Sequence, residues 1–287
     1  IGNAVRRLGG LPVTRSVASE AAEDVVEPRT LCLAISQSGE TADVLHAVAS
    51  RVADESPLLA LTNNSHSTLA RRADAVMTFA AGPEIGVAAT KTFVCQIIAG
   101  VAVMVSALVA TNRLSSTYAA QLVDDLRRLP DQLAAAGTVA KCLVPPIAEE
   151  LTTASGFVFI ARGSGLPYAA EGALKLKELT YRWAEHYPAG ELKHGPLALI
   201  STGTPVVVVD NADPKLASNV AEVQARGGRI ISIGSAGSTV PVMGNSLVPW
   251  GPLESVIPLQ ILARTLALAL GHDVDKPRNL AKSVTVE

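Results

Sequence analysis

Residues 31–41 read Leu-Cys-Leu-Ala-Ile-Ser-Gln-Ser-Gly-Glu-Thr, an apolar run that passes directly into a loop rich in hydroxyl groups. A short apolar run bounded by turn residues predicts a buried strand, here Leu31–Ile35. The following residues, Thr41–Ala53, have the pattern of a helix. A strand that leads through a polar loop into a helix is typical of an α/β fold with a parallel sheet.

The same alternation of strands and helices continues along the chain and begins again after a polar helical stretch, Ser115–Glu150. Further strands are predicted at Leu58–Thr62, Ala75–Phe79, Phe157–Ala161, Pro205–Val209, Arg229–Ile233 and Ser246–Val248. Further helices are predicted at Thr68–Arg72, Lys91–Val109, Ala169–Ala184, Asp213–Arg226 and Ser255–Leu270.

This pattern predicts two α/β domains, each a parallel sheet flanked by helices in three layers. The first domain is expected at 1–114, a helical connector at 115–147, the second domain at 148–272 and an extended tail at 273–287.

The composition indicates a globular protein with a large core. Hydrophobic residues make up 48% of the 287 residues and charged residues 17%, which argues against intrinsic disorder. The net charge of −2 and the lack of a Lys/Arg cluster argue against nucleic-acid binding. The three cysteines lie in apolar stretches, which favours reduced thiols and predicts a cytoplasmic protein.

The most apolar stretch is Ile97–Ala110. It is shorter than the ~20 residues that a membrane span needs, so we predict a buried core or interface helix and no membrane partner. Ile1 begins without the basic start of a signal peptide.

The loop Ser36–Thr41 is a candidate phosphate site. A helix N-terminus offers unpaired N–H groups and a positive dipole end, and the carboxyl end of a parallel strand is where open α/β sheets bind ligands. The simpler alternative is a hydroxyl-rich helix cap, because Ser and Thr are common there for local reasons. Capping does not require four neutral donor side chains in one loop, so phosphate is the preferred interpretation.

Glu171, Lys175 and Glu178 occupy one stripe of a predicted helix. The alternative is an exposed face of ion pairs, but the stripe follows a strand and a Gly-rich turn, where α/β sites are built. Downstream, His186 and His194 lie among glutamates, yet their spacing matches no compact metal-ligand motif. A histidine in a loop bounded by Gly and Pro favours proton transfer over a metal. For His186 an ordinary surface histidine stays the alternative, and no cofactor is predicted.

Five motifs in order resemble glucosamine-6-phosphate synthase, also called glutamine:fructose-6-phosphate aminotransferase. They are Ser36–Thr41, Glu84–Lys91, Glu171–Glu178, Gly190–Ile200 and Asp275–Glu287. The resemblance covers the tandem sugar-isomerase (SIS) half. It implies formation of glucosamine 6-phosphate from fructose 6-phosphate, with ammonia supplied by a glutaminase domain that nothing in this chain resembles. It also implies a homodimer.

The resemblance assigns catalytic roles to residues that match the motifs of that family. Lys282 would form a Schiff base with the sugar ketone, and Glu178 would move a proton between C1 and C2. His194 would assist ring opening from the neighbouring subunit. Lys175 and Glu171 would support the acid–base group. Taken by itself, Lys282 is an ordinary tail lysine, so its role rests on the resemblance alone.

The resemblance also assigns contacts with the hexose 6-phosphate substrate. Backbone groups of Val87 and Ala88 would line the sugar pocket. Position 89 is Ala where many relatives have Ser, so a side-chain hydrogen bond would be lost there. The phosphate would be bound by Ser36, Gln37, Ser38 and Thr41.

The resemblance carries a further expectation about the start of the first domain. The family opens it with a strand and a Gly-Thr-Ser loop that precede the position of Ile1. We therefore expect one strand fewer in the first sheet and one donor fewer in the site.

Two other functions stay open at this stage. A related SIS deaminase would act on an amino-sugar phosphate, although the ending Asn279–Glu287 favours the synthase. A sugar-phosphate sensor would need the phosphate loop but not Glu178, His194 and Lys282.

Overall fold

A computed structural model of the chain describes residues 1–25, 27, 29–53, 56–242 and 248–282. The chain divides into two compact units. Unit 1 comprises Ile1–Val123 with Asn279–Glu287, and unit 2 comprises Asp124–Arg278. Each unit contains one parallel sheet with helices packed against it. The predicted α/β architecture is therefore confirmed, whereas the finer domain boundaries stay a prediction.

Unit 1 contains a three-stranded parallel sheet in the order β1-β2-β3. The strands are β1 (Cys32–Ser36), β2 (Leu58–Thr62) and β3 (Ala75–Thr78). Ser36 pairs with Thr62, so β1 and β2 end at the same edge of the sheet. The polar loop that follows β1 therefore lies at the carboxyl edge of the sheet.

The helices of unit 1 are α1 (Gly2–Gly9), α2 (Ala42–Ala53), α3 (Thr68–Arg72) and α4 (Lys91–Ala110). One apolar cluster joins α2 and α3 to the sheet and contains Ala34, Val48, Leu58, Ala60 and Leu69. A second cluster joins α4 to the sheet and contains Leu61, Phe79 and Ala99. Burial of apolar area is the main stabilising term in both clusters.

Helix α4 corrects one prediction from the sequence. It begins at Lys91 and has 20 residues, so the expectation that the apolar stretch is too short to span a membrane is wrong. By length and composition alone the helix could cross a bilayer, which is weak evidence for a span. Val101, Val105 and Leu108 are buried in the structure, but 39% of the apolar window is buried in all, so a core or interface helix stays a prediction.

Unit 2 contains a five-stranded parallel sheet in the order β5-β4-β6-β7-β8. Its strands are β4 (Gly156–Ala161), β5 (Trp183–Pro188), β6 (Pro205–Val209), β7 (Arg229–Gly234) and β8 (Val240–Pro241). Its helices are α6 (Leu166–Thr180), α7 (Leu216–Gln224) and α8 (Val256–Ala269). The central strand β6 is buried along its whole length, as a parallel strand covered on both faces should be. A further helix, α5 (Ser116–Glu150), contains the boundary between the two units.

The end of one predicted helix in unit 2 needs correction. The helix expected at Ala169–Ala184 begins earlier and ends at Thr180, because Tyr181 adopts a left-handed conformation with φ 59°. The chain then enters β5, a strand that the sequence pattern did not predict. The strand predicted at Ser246–Val248 lies outside the described residues apart from Val248.

Candidate active site

The loop after β1 is closed by short hydrogen bonds between its own residues. The hydroxyl oxygens of Ser36 and Thr41 lie 2.8 Å apart. The Gly39 N–H donates to Ser36 Oγ at 3.1 Å, and the Glu40 N–H donates to Ser38 Oγ at 3.1 Å. The loop therefore presents hydroxyl groups directly before the N-terminus of α2, where an anion is favoured.

The loop is also packed closely against the chain that precedes α3. Gly39 has φ +67°, and a Cβ at this position would lie 2.1 Å from Ser67 Oγ. Its carbonyl oxygen accepts from the Leu69 N–H at 3.0 Å. Only glycine combines this backbone conformation with so close an approach.

The acidic residue of the loop, Glu40, is bound to the start of α3. Its Oε1 accepts from the Thr68 N–H at 2.7 Å. Hydrogen bonds from the Thr68 backbone and side chain hold the pKa of Glu40 below its ordinary value. The negative charge in the loop is therefore satisfied locally, which lowers its repulsion toward a bound phosphate.

A second part of unit 1 brings the predicted sugar-contacting turn to Lys282. Glu84 Oε1 accepts hydrogen bonds from the N–H and hydroxyl of Thr90 at 2.6 and 2.7 Å, and from the Lys91 N–H at 3.1 Å. These bonds close the turn that contains Val87 and Ala88. Lys282 Nζ donates to the Gly86 carbonyl oxygen at 2.6 Å.

Reasoning from the residues alone missed both Lys282 and Glu84. The contact between Lys282 and Gly86 joins positions far apart in the chain, and local periodicity carries no signal for such a contact. The only signal for Glu84 was its place as the first residue of the motif Glu84–Lys91.

Within unit 2 the structure brings together Glu171, Lys175 and Glu178 on α6. Lys175 Nζ lies 2.5 Å from Glu178 Oε2 and 3.8 Å from Glu171 Oε1. The side chain of Lys175 is 4% exposed and that of Glu171 8%. The alternative of a solvent-exposed stripe of ion pairs is therefore wrong. Burying such charges costs stability unless they are paired, and such costs concentrate at functional sites.

The structure places His194 apart from this buried cluster. His194 ends a short 3-10 helix, Ala189–His194, and its side chain is 74% exposed. Its Nε2 lies 4.0 Å from Glu191 Oε2. Within the described part of unit 2 no hydrogen bond or ion pair joins His194 to Glu178 or Lys175. His186, on the edge strand β5, is also exposed.

The chain that follows α8 is anchored to the end of α6 by aromatic contacts that the sequence did not predict. The rings of Tyr181 and His272 stack with centroids 4.3 Å apart. The guanidinium of Arg278 lies 4.3 Å from the Tyr181 ring centroid, and the Arg278 N–H donates to the Tyr181 hydroxyl at 3.0 Å. This cation–π contact fixes the last residue of unit 2.

Comparison with known proteins identifies the family. A profile of the SIS domain matches residues 2–106 and 150–267. The chain is 44% identical over 293 residues to the glutamine–fructose-6-phosphate aminotransferase (isomerizing) of Thermus thermophilus, and 45% identical over 298 residues to that of Mycolicibacterium smegmatis. The alignments cover 98% and 96% of this chain but 48% and 47% of the relatives. The chain thus spans about half the length of these relatives.

Solved structures agree with this match. The C-terminal domain of glucosamine-fructose-6-phosphate aminotransferase from Francisella tularensis superposes with a TM-score of 0.88 and 33% identity, over 96% of this chain and 82% of that one. Glucosamine-6-phosphate deaminase from Thermotoga maritima superposes with a TM-score of 0.80 at 24% identity, over 99% and 85%, which shows the shared fold alone. The chain therefore belongs to the SIS domain family and corresponds to the C-terminal isomerase half of the glutamine–fructose-6-phosphate aminotransferases.

Proposed function

We propose that this chain binds fructose 6-phosphate and forms glucosamine 6-phosphate, using ammonia from a glutaminase domain such as its longer relatives carry. The observation that carries the proposal is the burial of Lys175 between Glu171 and Glu178. A fold gains little from packing two buried charges against a third, half-buried one. Such an arrangement is typical of an acid–base site.

The proposal gives the phosphate loop the task of anchoring the sugar. The hydroxyls of Ser36, Ser38 and Thr41 and the amide of Gln37 are neutral donors at the N-terminus of α2, and such donors suit the charge of a phosphate group. Val87 and Ala88 would contact the sugar through the turn that Glu84 closes. Anchoring a non-reacting phosphate lets its binding energy orient the reacting carbons.

The proposed chemistry begins when the neutral Lys282 amine adds to the C2 carbonyl of the open-chain sugar. Loss of water leaves a protonated imine on Nζ. Ammonia then displaces the lysine amine and leaves a C2 imine of the sugar. Glu178 removes a proton from C1 and a proton is delivered to C2, which converts the ketose imine into a 2-amino aldose.

The roles of Lys175 and Glu171 in this proposal are to hold and polarise Glu178. His194 would assist ring opening in a neighbouring subunit of a homodimer, a role that its exposure on a Gly/Pro-bounded segment supports. The composition and the three unpaired thiols support a cytoplasmic location.

One experiment with two variants tests the proposal. Borohydride reduction in the presence of fructose 6-phosphate should label Lys282, as read by peptide mass spectrometry. Lys276→Arg, in the same tail, should leave the label in place. Glu178→Gln should retain the label while isomerisation of fructose 6-phosphate falls by about 10²- to 10⁴-fold. Labelling of another lysine, or no label at all, would overturn the Schiff-base assignment.

A further inference from the structure

The Glu84 carboxylate uses its two oxygens differently. Its side chain is 5% exposed. Oε1 accepts three hydrogen bonds from Thr90 and Lys91 at the start of α4. Oε2 is buried without a hydrogen-bond partner in the described part of the chain, and it lies 4.0 Å from Lys282 Nζ. Oε1 therefore caps the start of α4, and Oε2 is the oxygen nearer the amine of Lys282.

The surroundings keep this carboxyl ionised. Burial raises its pKa, but the polar groups of Thr92 and Thr90 and the charge of Lys282 outweigh burial, so the pKa lies below the ordinary value. Among the described residues, the thiol of Cys95 on α4 also lies within the electrostatic reach of Glu84. Burial raises the pKa of the Cys95 thiol, the charge of Glu84 raises it further, and Lys91 lowers it.

We propose that Glu84 is the counter-ion of Lys282, stabilising positive charge on Nζ both in the resting ammonium and in the protonated imine. The role of Glu84 toward the protonated imine rests on the proposed function, whereas its role toward the resting ammonium does not. Glu84 acts through Lys282 and is a positioning residue.

Imine formation places a positive charge on Nζ of Lys282, which a nearby carboxylate can stabilise. The ammonium first releases a proton to solvent, and the neutral amine adds to the ketone. Loss of water then places a positive charge on the same nitrogen. A buried carboxylate about 4 Å from that nitrogen favours the charged imine over the neutral one. The protonated imine is the more reactive electrophile, so ammonia attacks it more readily.

The variant Glu84→Gln separates charge from capping. The amide oxygen can still accept the bonds from Thr90 and Lys91, whereas the negative charge near Nζ is lost. Glu84→Ala loses both features and serves as the capping control. Glu40→Gln is the matched charge control in the ligand-free protein, because Glu40 also accepts a helix N-terminal N–H but bonds to α3.

The first measurement uses the full chain without ligand. Acetylation of Lys282 by acetic anhydride is followed against pH by peptide mass spectrometry. Glu84→Gln should raise the acetylation rate of Lys282 near neutral pH about three-fold or more, because the ammonium loses the carboxylate 4.0 Å from it. The pH profile for alkylation of Cys95 should shift to lower pH, because the charge of Glu84 raises the pKa of this thiol and the variant removes that charge. Glu40→Gln should leave both profiles in place.

The second measurement is reciprocal and uses Lys282→Met, a change at a partly exposed tail position. The side-chain carboxyl of Glu84, followed by ¹³C NMR, should titrate at higher pH than in the wild type, because the charge of Lys282 lowers its pKa. This arm gives an answer even if Glu84→Gln does not fold.

The outcomes separate the counter-ion role from the proposed function. An unchanged Lys282 profile in Glu84→Gln, or an unchanged Glu84 titration in Lys282→Met, would show that Glu84 is a helix cap only. Borohydride labelling with fructose 6-phosphate should fall in Glu84→Gln on the alkaline side, where the imine must retain its proton. If the wild type gives no such label, the proposed function fails while both ligand-free measurements still decide the counter-ion role.

Discussion

Lys175 shows how one residue links stability to function. Its ammonium is nearly inaccessible and touches two carboxylates. Removing one partner of a buried ion pair leaves uncompensated charge, so we expect Lys175→Ala to lower the free energy of unfolding by about 3–5 kcal/mol. Both tryptophans, Trp183 and Trp250, lie in unit 2. Urea denaturation followed by tryptophan fluorescence therefore reports on this unit.

The control for this prediction lies two positions along the same helix. Lys177 forms an ion pair with Glu185 at 3.2 Å, but the two side chains are 43% and 47% exposed. Lys177→Ala should cost only about 0–1 kcal/mol, because exposed pairs are screened by solvent. Equal costs for the two lysines would contradict the buried-charge argument.

Single residues also show where prediction from sequence stops. The stripe of Glu171, Lys175 and Glu178 followed from helical spacing, because residues three and four apart share a face. Spacing could not tell whether that face is exposed or buried, since burial depends on what packs against it. Glu84 and Lys282 meet only through tertiary structure, so no local pattern could have paired them.

At the scale of elements, the phosphate loop depends on the fit of Gly39 between β1 and α3. Gly39→Ala would combine a strained φ of +67° with a Cβ 2.1 Å from Ser67 Oγ. We expect this variant to lose measurable binding of fructose 6-phosphate in calorimetry. Faster hydrogen exchange across Cys32–Ser36 and Thr68–Arg72 should accompany the loss, because the clash must move one of the two segments.

The comparison for this prediction is Gly10→Ala. Gly10 has φ +62° at the end of α1, and nothing lies within 4 Å of an added Cβ. This variant should cost about 1–2 kcal/mol from backbone strain alone and leave sugar-phosphate binding intact. Intact binding in Gly39→Ala would show that the loop tolerates displacement.

The apolar pattern of each strand decided whether the strand could be predicted from the sequence. Strands with continuous apolar runs, such as Pro205–Val209, were predicted at the observed bounds, because parallel strands buried on both faces have this pattern. The edge strand Trp183–Pro188 was missed, since only Ala184 in it is buried and its polar residues carry no clear period. The helix before it ends at Tyr181 in a left-handed conformation that usually takes Gly.

For the molecule as a whole, the shifted carboxyl groups contribute to stability with opposite dependences on pH. The pKa values of Glu40 and Glu84 in unit 1 lie below 4.5. Their contribution to stability is present above that value and lost as the pH falls through the folded-state pKa. Burial raises the pKa of Glu254 in unit 2. The stabilisation from its neutral form is therefore complete at low pH and is lost as the pH rises through the folded-state pKa. Glu150, beside Arg229, behaves like the unit 1 groups.

The buried phenol of Tyr168 makes the stability of unit 2 depend on pH in the alkaline range. It is 2% exposed, and its hydroxyl donates to the Trp250 carbonyl oxygen. Burial and the charge of Glu254 hold its pKa well above 10. The stabilisation from the neutral phenol is thus complete below pH 10 and declines as the pH rises toward the folded-state pKa.

The variant Tyr168→Phe should therefore be less stable than the wild type at pH 8 by about 1–3 kcal/mol, because the buried Trp250 carbonyl loses its donor. The difference should shrink at pH 11, because ionisation of Tyr168 in the unfolded chain then destabilises only the wild type. Urea denaturation followed by tryptophan fluorescence at both pH values measures this change in unit 2. Tyr118→Phe, at a side chain 42% exposed, should change little at either pH. A gap that stays constant between pH 8 and 11 would mean that the Tyr168 phenol ionises equally in the folded and unfolded chains.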